Sequence, residues 1–403
     1  MTVRMMIANL IYIEGCKLGI CEVHPEASTI PCRGALNQRE IVVGEGAREE
    51  KQWGVVHELA FTSDGDILKK DFSSFDLFTM QRCEDAWDTF KAWRRAAEAE
   101  AEQSPLMPGM KLEVEWNGVE NRHTLWRAQE DEYHRAIPED SARIASRYMR
   151  PKDQSVQDLV NASLKTGKLW FEIVEAKRTG PRKYSQIFFG KICGRGPLLC
   201  LKLFDERYVP YPEDPKDPHA PIVKWYLPAS ERLLNLNFAA DMIRREESVY
   251  DRLKHFQGSL IPHCYGFHVF ILPGGWRFPG FFTEVIDAPS FGQCRVQEWP
   301  KEDQCDFVTR LRHCVRVLKF AGIEQTDWHG GQILCPLSPI EMARPESREI
   351  VFIDFAFARQ RLGEHKGKPI THDEALLKLM LRGYKLDSDV INECWFEPAD
   401  EEY

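Results

Sequence analysis

The chain has 403 residues, of which 43% are hydrophobic and 29% charged, a balance that excludes disorder throughout and allows two or three domains. Its 53 Lys and Arg against 62 Asp and Glu give a net charge of −9, the wrong sign for a protein that works mainly by neutralising nucleic-acid phosphates. No apolar run approaches the roughly 20 residues of a membrane helix, so neither nucleic acid nor a membrane is expected as a partner.

Taken in chain order, the run Met5–Ile13 has the length of a signal-peptide core. Glu14 follows it without a small-residue cleavage site, so no secretory leader is expected. Cys16, Cys21, His24 and Cys32 form a compact group of soft ligands that could hold zinc. Alternation along strands as packing residues is the preferred reading. The 12 cysteines contain no Cys-x-x-Cys pair and read as reduced thiols of a cytoplasmic protein, with a nuclear one not excluded. Strand-like runs follow at Glu40–Gly44 and Val55–Phe61. A helix is expected over Glu84–Gln103, ended by Ser104-Pro105 and Pro108-Gly109, then a strand at Lys111–Trp116 whose Asn117-Gly118 signals a hairpin. A second helix falls near Gln154–Leu164. Residues 1–150 therefore read as an α+β region without nameable chemistry, which could supply an acceptor site, cover a ligand cleft or recruit a protein partner.

From Leu169 the elements become more telling. Strands are expected at Leu169–Val174, Gln186–Ile192 and Leu198–Phe204. The segment Pro210–Pro221 holds five prolines and reads as a solvated excursion. A helix over Asn237–His255, strands at Cys264–Leu272 and Phe281–Ile286, and a helix over Lys301–Phe320 with Phe307, Leu311, Cys314, Val315 and Leu318 on one face come next. Short strands at Ile333–Cys335 and Ile350–Phe355 precede a helix opened by a capping box from Thr371 to Glu374 and ending near Gly383. The acidic end Glu397–Tyr403 reads as frayed.

Three places can carry chemistry. In Thr326-Asp327-Trp328-His329-Gly330-Gly331-Gln332, a carboxylate able to orient or deprotonate a hydroxyl lies five residues before a carboxamide able to ligate a hard cation. The same residues also suit a simple turn. In Ile350-Val351-Phe352-Ile353-Asp354-Phe355-Ala356, a lone Asp inside an apolar strand needs a cationic partner or a metal unless it caps the strand end in solvent. In Leu201-Lys202-Leu203-Phe204, a strand lysine needs an acidic partner, which Glu246 or Glu247 can supply, unless it snorkels outward from an edge.

In that order, the lysine strand, acidic helix, loop Asp and strand-end Asp resemble the protein-kinase-like superfamily over roughly Leu169–Gly383. The loop Asp-Trp-His-Gly-Gly-Gln-Ile-Leu is similar to the Asp-Leu-His-Pro-Gly-Asn-Ile-Leu of aminoglycoside and choline kinase-like phosphotransferases. Glu247, Tyr250 and Leu253, followed by Gln257-Gly258 and Ile261-Pro262, look like a set of fungal kinase-like proteins. The resemblance implies an α+β, bilobal kinase-like fold: a small antiparallel N-lobe sheet over 165–286, a reduced helical C-lobe over 287–385, and an acidic tail over 386–403. It implies ATP and Mg²⁺ as cofactors and an unidentified acceptor. Lys202 would hold phosphates and Glu247 would pair with it, Glu246 in reserve. Glu284 and Ile286 of the hinge would meet adenine, and Gly180 would open the phosphate loop. Asp327 would be the catalytic base, and Asp354 with Gln332 would hold the metal.

The departures matter as much. In Gly180-Pro181-Arg182-Lys183-Tyr184-Ser185-Gln186 only the first glycine of a phosphate-gripping loop remains; Arg182 and Lys183 could replace its amide contacts with charge, with a solvated turn the preferred reading. Gln325 replaces a scaffold His, Gln332 replaces Asn, and Ala356 replaces Gly and restricts the backbone after the metal-binding Asp. The expected function is phosphoryl transfer from ATP to a hydroxyl of a small molecule or an atypical protein target. The alternatives are a pseudokinase acting as a binding module, and a scaffold turned to other chemistry through Asp327 and His329.

Overall fold

The computed structural model describes residues 75–115, 137–167, 169–337, 348–360 and 371–395. The group Cys16, Cys21, His24 and Cys32, the runs Met5–Ile13, Glu40–Gly44 and Val55–Phe61, the turn Asn117-Gly118 and the end Glu397–Tyr403 lie outside the described residues, as does the side chain of Thr371 in its capping box. Among the described residues, no helix is long and apolar enough to cross a membrane.

After the single turn Leu77–Met80, helix α1 spans Glu84–Gln103 and buries Trp87, Phe90, Trp93, Ala97 and Ala101 at helical spacing. Strand β1 (Lys111–Glu115), helices α2 (Glu139–Ala145) and α3 (Gln154–Lys165), and strands β2 (Trp170–Arg178), β3 (Gln186–Ile192) and β4 (Arg195–Leu203) follow. Next come helix α4 (Ala239–Arg252), strands β5 (Cys264–Ile271) and β6 (Arg277–Glu284), and helix α5 (Lys301–Phe320). The short strands β7 (Ile323–Glu324), β8 (Ile333–Leu334), β9 (Val351–Phe352) and β10 (Arg359–Gln360) lead to helices α6 (Thr371–Gly383) and α7 (Ser388–Cys394).

The expected open N-lobe sheet of a bilobal kinase-like fold is corrected. The sheet is a closed antiparallel barrel of order β1-β2-β3-β4-β6-β5, α+β in class but not bilobal in the expected sense. Strand β1 makes the closure: Lys111, Leu112 and Glu113 pair with β2, while Glu113, Val114 and Glu115 pair with β5. An edge left open would expose a row of unpaired backbone groups, and one staggered strand from upstream removes both edges. The barrel interior and α1 share one core, with Trp87, Phe90 and Trp93 packed together with Leu112, Phe171, Leu201, Leu203 and Phe282. The boundary expected between 150 and 165 falls within this packing.

A second core lies under α4, α5 and α6 and takes in Phe307, Leu311, Cys314, Val315 and Leu318, the apolar face anticipated for α5. The tail expected from 386 onward is corrected over its first part, because Leu386, Val390, Ile391 and Trp395 are buried in this same core. The proline-rich segment is not solvated throughout either: Tyr211 and Asp214 are buried, and Glu213 accepts hydrogen bonds from Trp87 Nε1 (3.0 Å) and Lys91 Nζ (2.8 Å).

The amino end of α4 rests on a buried acid. Glu206 Oε2 accepts the Ala239 N–H at 2.6 Å. Burial pushes the Glu206 carboxyl up to about 8; the Ala239 N–H and Arg94 oppose the rise, while Asp241 and Asp205 add to it. A carboxyl raised in the fold binds its proton more tightly than in the unfolded chain. Its contribution therefore erodes as pH climbs from 4.5 to about 8. Glu206→Gln keeps an acceptor for Ala239 and removes the titration. It will gain on the wild type by up to about 1.4 kcal/mol per pH unit across that window. Urea unfolding of both proteins at several pH values checks this, and parallel stability curves would refute it.

Candidate functional site

Strand alternation places Lys202. Its neighbours Leu201 and Leu203 point into the barrel, so Lys202 leaves on the outer face beside its register partners Ile187 and Phe281. Helix α4 covers that face. Met242, Ile243, Val249 and Tyr250 are buried along it, and Glu246 occupies the same stripe, three and four residues from Val249 and Tyr250. Lys202 Nζ donates to Glu246 Oε1, and to Asp354 Oδ1 at 2.5 Å. Lys202 is only 7% exposed and Glu246 is fully buried. The assignment of the ion pair to Glu247 is thereby corrected: Glu247 sits half-buried one position on, about 100° around the helix, and Glu246 takes the lysine.

Asp354 reaches this place through backbone pairing. Strand β8 pairs with β9, Ile353 N donates to Gln332 O at 2.9 Å, and Gln325 Nε2 donates to Asp354 O at 2.8 Å. Asp354 itself adopts a left-handed backbone with φ 66°, and the Phe355 N–H then donates to Glu246 Oε1 at 2.9 Å. Glu246 thus holds both Lys202 and the turn that carries Asp354. Ala356, expected to restrict the backbone, is not among the residues of positive φ, so the demand for unusual geometry falls on Asp354. Arg245 Nη1 fixes the next turn by donating to Ala356 O at 3.0 Å.

The charges respond to this packing. Burial works against the Lys202 ammonium, but Asp354 and then Glu246 outweigh it and raise its proton affinity. Burial likewise opposes ionisation of Asp354, yet Lys202, followed by Arg178, holds its carboxyl below the usual range. Asp327 is exposed at the mouth of the same site. Partial desolvation pushes its carboxyl up, His329 opposes the shift, and the negative charge of Asp354 adds to it. Tyr184, from the β2–β3 turn, packs edge-on against Phe357 with ring centroids 4.7 Å apart. Burial raises the Tyr184 hydroxyl, and Asp327 is the next largest influence.

Lys202 and Asp354 therefore meet over Glu246, and the exposed Asp327 lies near enough for the charge of Asp354 to raise its proton affinity. The other expected residues are placed differently. Gln332 is buried and adjacent, but its Oε1 accepts the His329 N–H at 3.2 Å and its Nε2 makes no hydrogen bond, so it presents no oxygen to a cation. His329 Nδ1 is itself occupied by the Gly331 N–H at 3.1 Å. Gly180 has φ 100°, and the Gln186 side chain binds both its N–H (2.7 Å) and its C=O (3.1 Å), so its amide is spent inside the turn. Arg182 and Lys183 are exposed. The Glu284 carboxylate accepts from Arg150 Nη2 at 3.0 Å and from the His263 N–H at 2.8 Å, and Ile286 O accepts the Ala288 N–H at 3.1 Å. Glu246, the reserve partner, takes the place given to Glu247, and one residue, Arg178, was missed in sequence. Glu246 was legible from the apolar stripe it interrupts. Arg178, whose Nη2 lies 3.6 Å from Asp354 Oδ2, carried no local signal because it falls four residues beyond the strand expected to end at Val174, whereas β2 runs on to Arg178.

Among the described residues no group of three or more His, Cys, Asp and Glu is built to hold a metal ion by itself. Magnesium commonly takes only one or two carboxylates and completes its shell with water and substrate phosphates. Asp354 has the hard oxygens that such a cation needs, so the donor chemistry fits Mg²⁺ arriving with phosphates, without Gln332.

The fold and the site define an α+β protein in which a closed barrel and a covering helix bury a lysine between two carboxylates. No family model matches the chain, and no curated protein matches it.

Proposed function

We propose that this protein binds ATP with Mg²⁺ and transfers the terminal phosphoryl group to a hydroxyl of a small molecule or an atypical protein target. What supports this reading is the meeting of Lys202, Glu246 and Asp354, three charges far apart in sequence, under an exposed Asp327. The order of these residues is similar to that of kinase-like phosphotransferases, although the barrel is not their sheet. Phosphoryl transfer needs positioning and charge neutralisation more than covalent chemistry from the protein. Lys202, kept charged and oriented by Glu246, binds phosphate oxygens. Asp354 would hold Mg²⁺, which would supply neutralisation of the phosphate charge. Asp327 accepts the acceptor's hydroxyl proton as its oxygen bonds to phosphorus and the bond to the ADP oxygen breaks.

Isothermal titration of the full chain with ATP will show one saturable site that binds more tightly with Mg²⁺ than without, and Asp354→Asn will lose the Mg²⁺ dependence. No ATP binding at millimolar nucleotide would refute the proposal. A second reading, a nucleotide-binding module without turnover, is favoured by Gln332 and Gly180, whose polar groups are committed internally. It predicts ATP binding with no release of labelled terminal phosphate.

A further inference from the structure

Polyphosphate bound at Asp354 needs more than one cation, and the turn that would supply backbone amides does not. Gly180 spends its N–H on Gln186, and Arg182 and Lys183 stand in solvent. Arg178, the last residue of β2, is differently placed. Its Nη2 donates to Ser185 Oγ at 3.0 Å, which steadies the guanidinium across the mouth of the turn, and lies 3.6 Å from Asp354 Oδ2. Asp354 is thus bracketed: Lys202 lies on Oδ1 at 2.5 Å and Arg178 faces Oδ2. The two cations are not equivalent. Lys202 is buried and keeps Glu246 as a counter-charge, while the Arg178 side chain is 44% exposed and its distance to Asp354 exceeds that of a hydrogen bond.

We propose that Arg178 is a phosphate-binding residue of this site, which exchanges Asp354 for the terminal phosphates of a nucleoside triphosphate and replaces the missing glycine-loop amides by charge. A guanidinium offers a planar pair of donors matched to phosphate oxygens, and it forfeits little in leaving a carboxylate that it does not touch. The exchange also frees the carboxylate that faces the cleft. This inference rests on the nucleotide reading above and adds a second cation, beside Lys202, that recognises phosphates and not the nucleoside.

The test is titration of the full chain, wild type and variants, with ATP, inorganic tripolyphosphate and adenosine. Arg178→Gln will weaken ATP and tripolyphosphate by about 10- to 100-fold, the loss of one charged hydrogen-bonding group, and will leave adenosine unchanged. Arg178→Lys will recover part of the loss. Arg182→Gln will match the wild type. Equal ATP affinity in Arg178→Gln and wild type overturns this inference alone, as does an equal loss for adenosine, which would make Arg178 a structural prop. A wild type that binds neither ATP nor tripolyphosphate overturns the function and this inference together.

Discussion

Lys202→Met will destabilise the fold by about 3–5 kcal/mol, the range seen when one partner of a buried ion pair is removed, and will abolish nucleotide binding. Glu246 is fully buried, and the Phe355 N–H is the other donor to the oxygen that Lys202 uses. Burial already pushes the Glu246 carboxyl up, with Lys202 as the main opposing influence. Without the lysine that carboxyl will rise further and take up a proton. Its folded value, already above the unfolded 4.5, will move further up, so the cost of the substitution will be smallest in acid and grow as pH rises above 4.5. The double variant Lys202→Met with Glu246→Leu replaces charge by apolar volume and will regain much of the stability without the binding. Glu247→Gln will cost less than Glu246→Gln. Urea unfolding at acidic and neutral pH checks the series. A pH-independent cost for Lys202→Met, or Glu247→Gln proving the more harmful acid variant, would overturn the buried pairing.

Asp327→Asn will lower turnover by about 10²- to 10⁴-fold, the usual worth of a positioned general base, with ATP affinity and unfolding midpoint close to wild type. The carboxylate is exposed and, among the described residues, forms no ion pair, in contrast to Asp354. Partial desolvation and the charge of Asp354 raise its proton affinity, so the acidic limb of the rate profile will lie above the range of an ordinary aspartate. Release of labelled phosphate from ATP, followed against pH, measures both features. A variant with undiminished turnover removes Asp327 from the mechanism. A variant that loses ATP affinity in parallel makes it a binding residue instead.

Most of the site was legible because its residues break local rules. A lysine in an apolar strand and an aspartate after Ile350–Ile353 cannot be buried without partners, and they prove to be each other's partners at 2.5 Å. Glu246 broke the rule of α4's apolar stripe in the same way, and choosing Glu247 overlooked the helical period. Gln332 obeyed a motif but not the expectation drawn from it: a carboxamide oxygen satisfies whichever donor is nearest, and that donor is the backbone of His329. Arg178 broke no rule, since an arginine at a strand end is unremarkable until its neighbour across the cleft is known.

The sequence by itself determined much of the scaffold around the site: β3, α1 and α5 fall where periodicity and punctuation put them, since each depends on contacts a few residues apart. It also determined which side chains were too costly to bury alone. Tertiary structure decided the closure of the sheet by β1, the docking of α7 in the second core, the choice of Glu246, and the seating of Arg178 over Asp354. Each of these joins groups separated by tens to hundreds of residues. A strand's second edge and an acid's counter-ion are pairings in space, and no local pattern encodes which distant group will meet them.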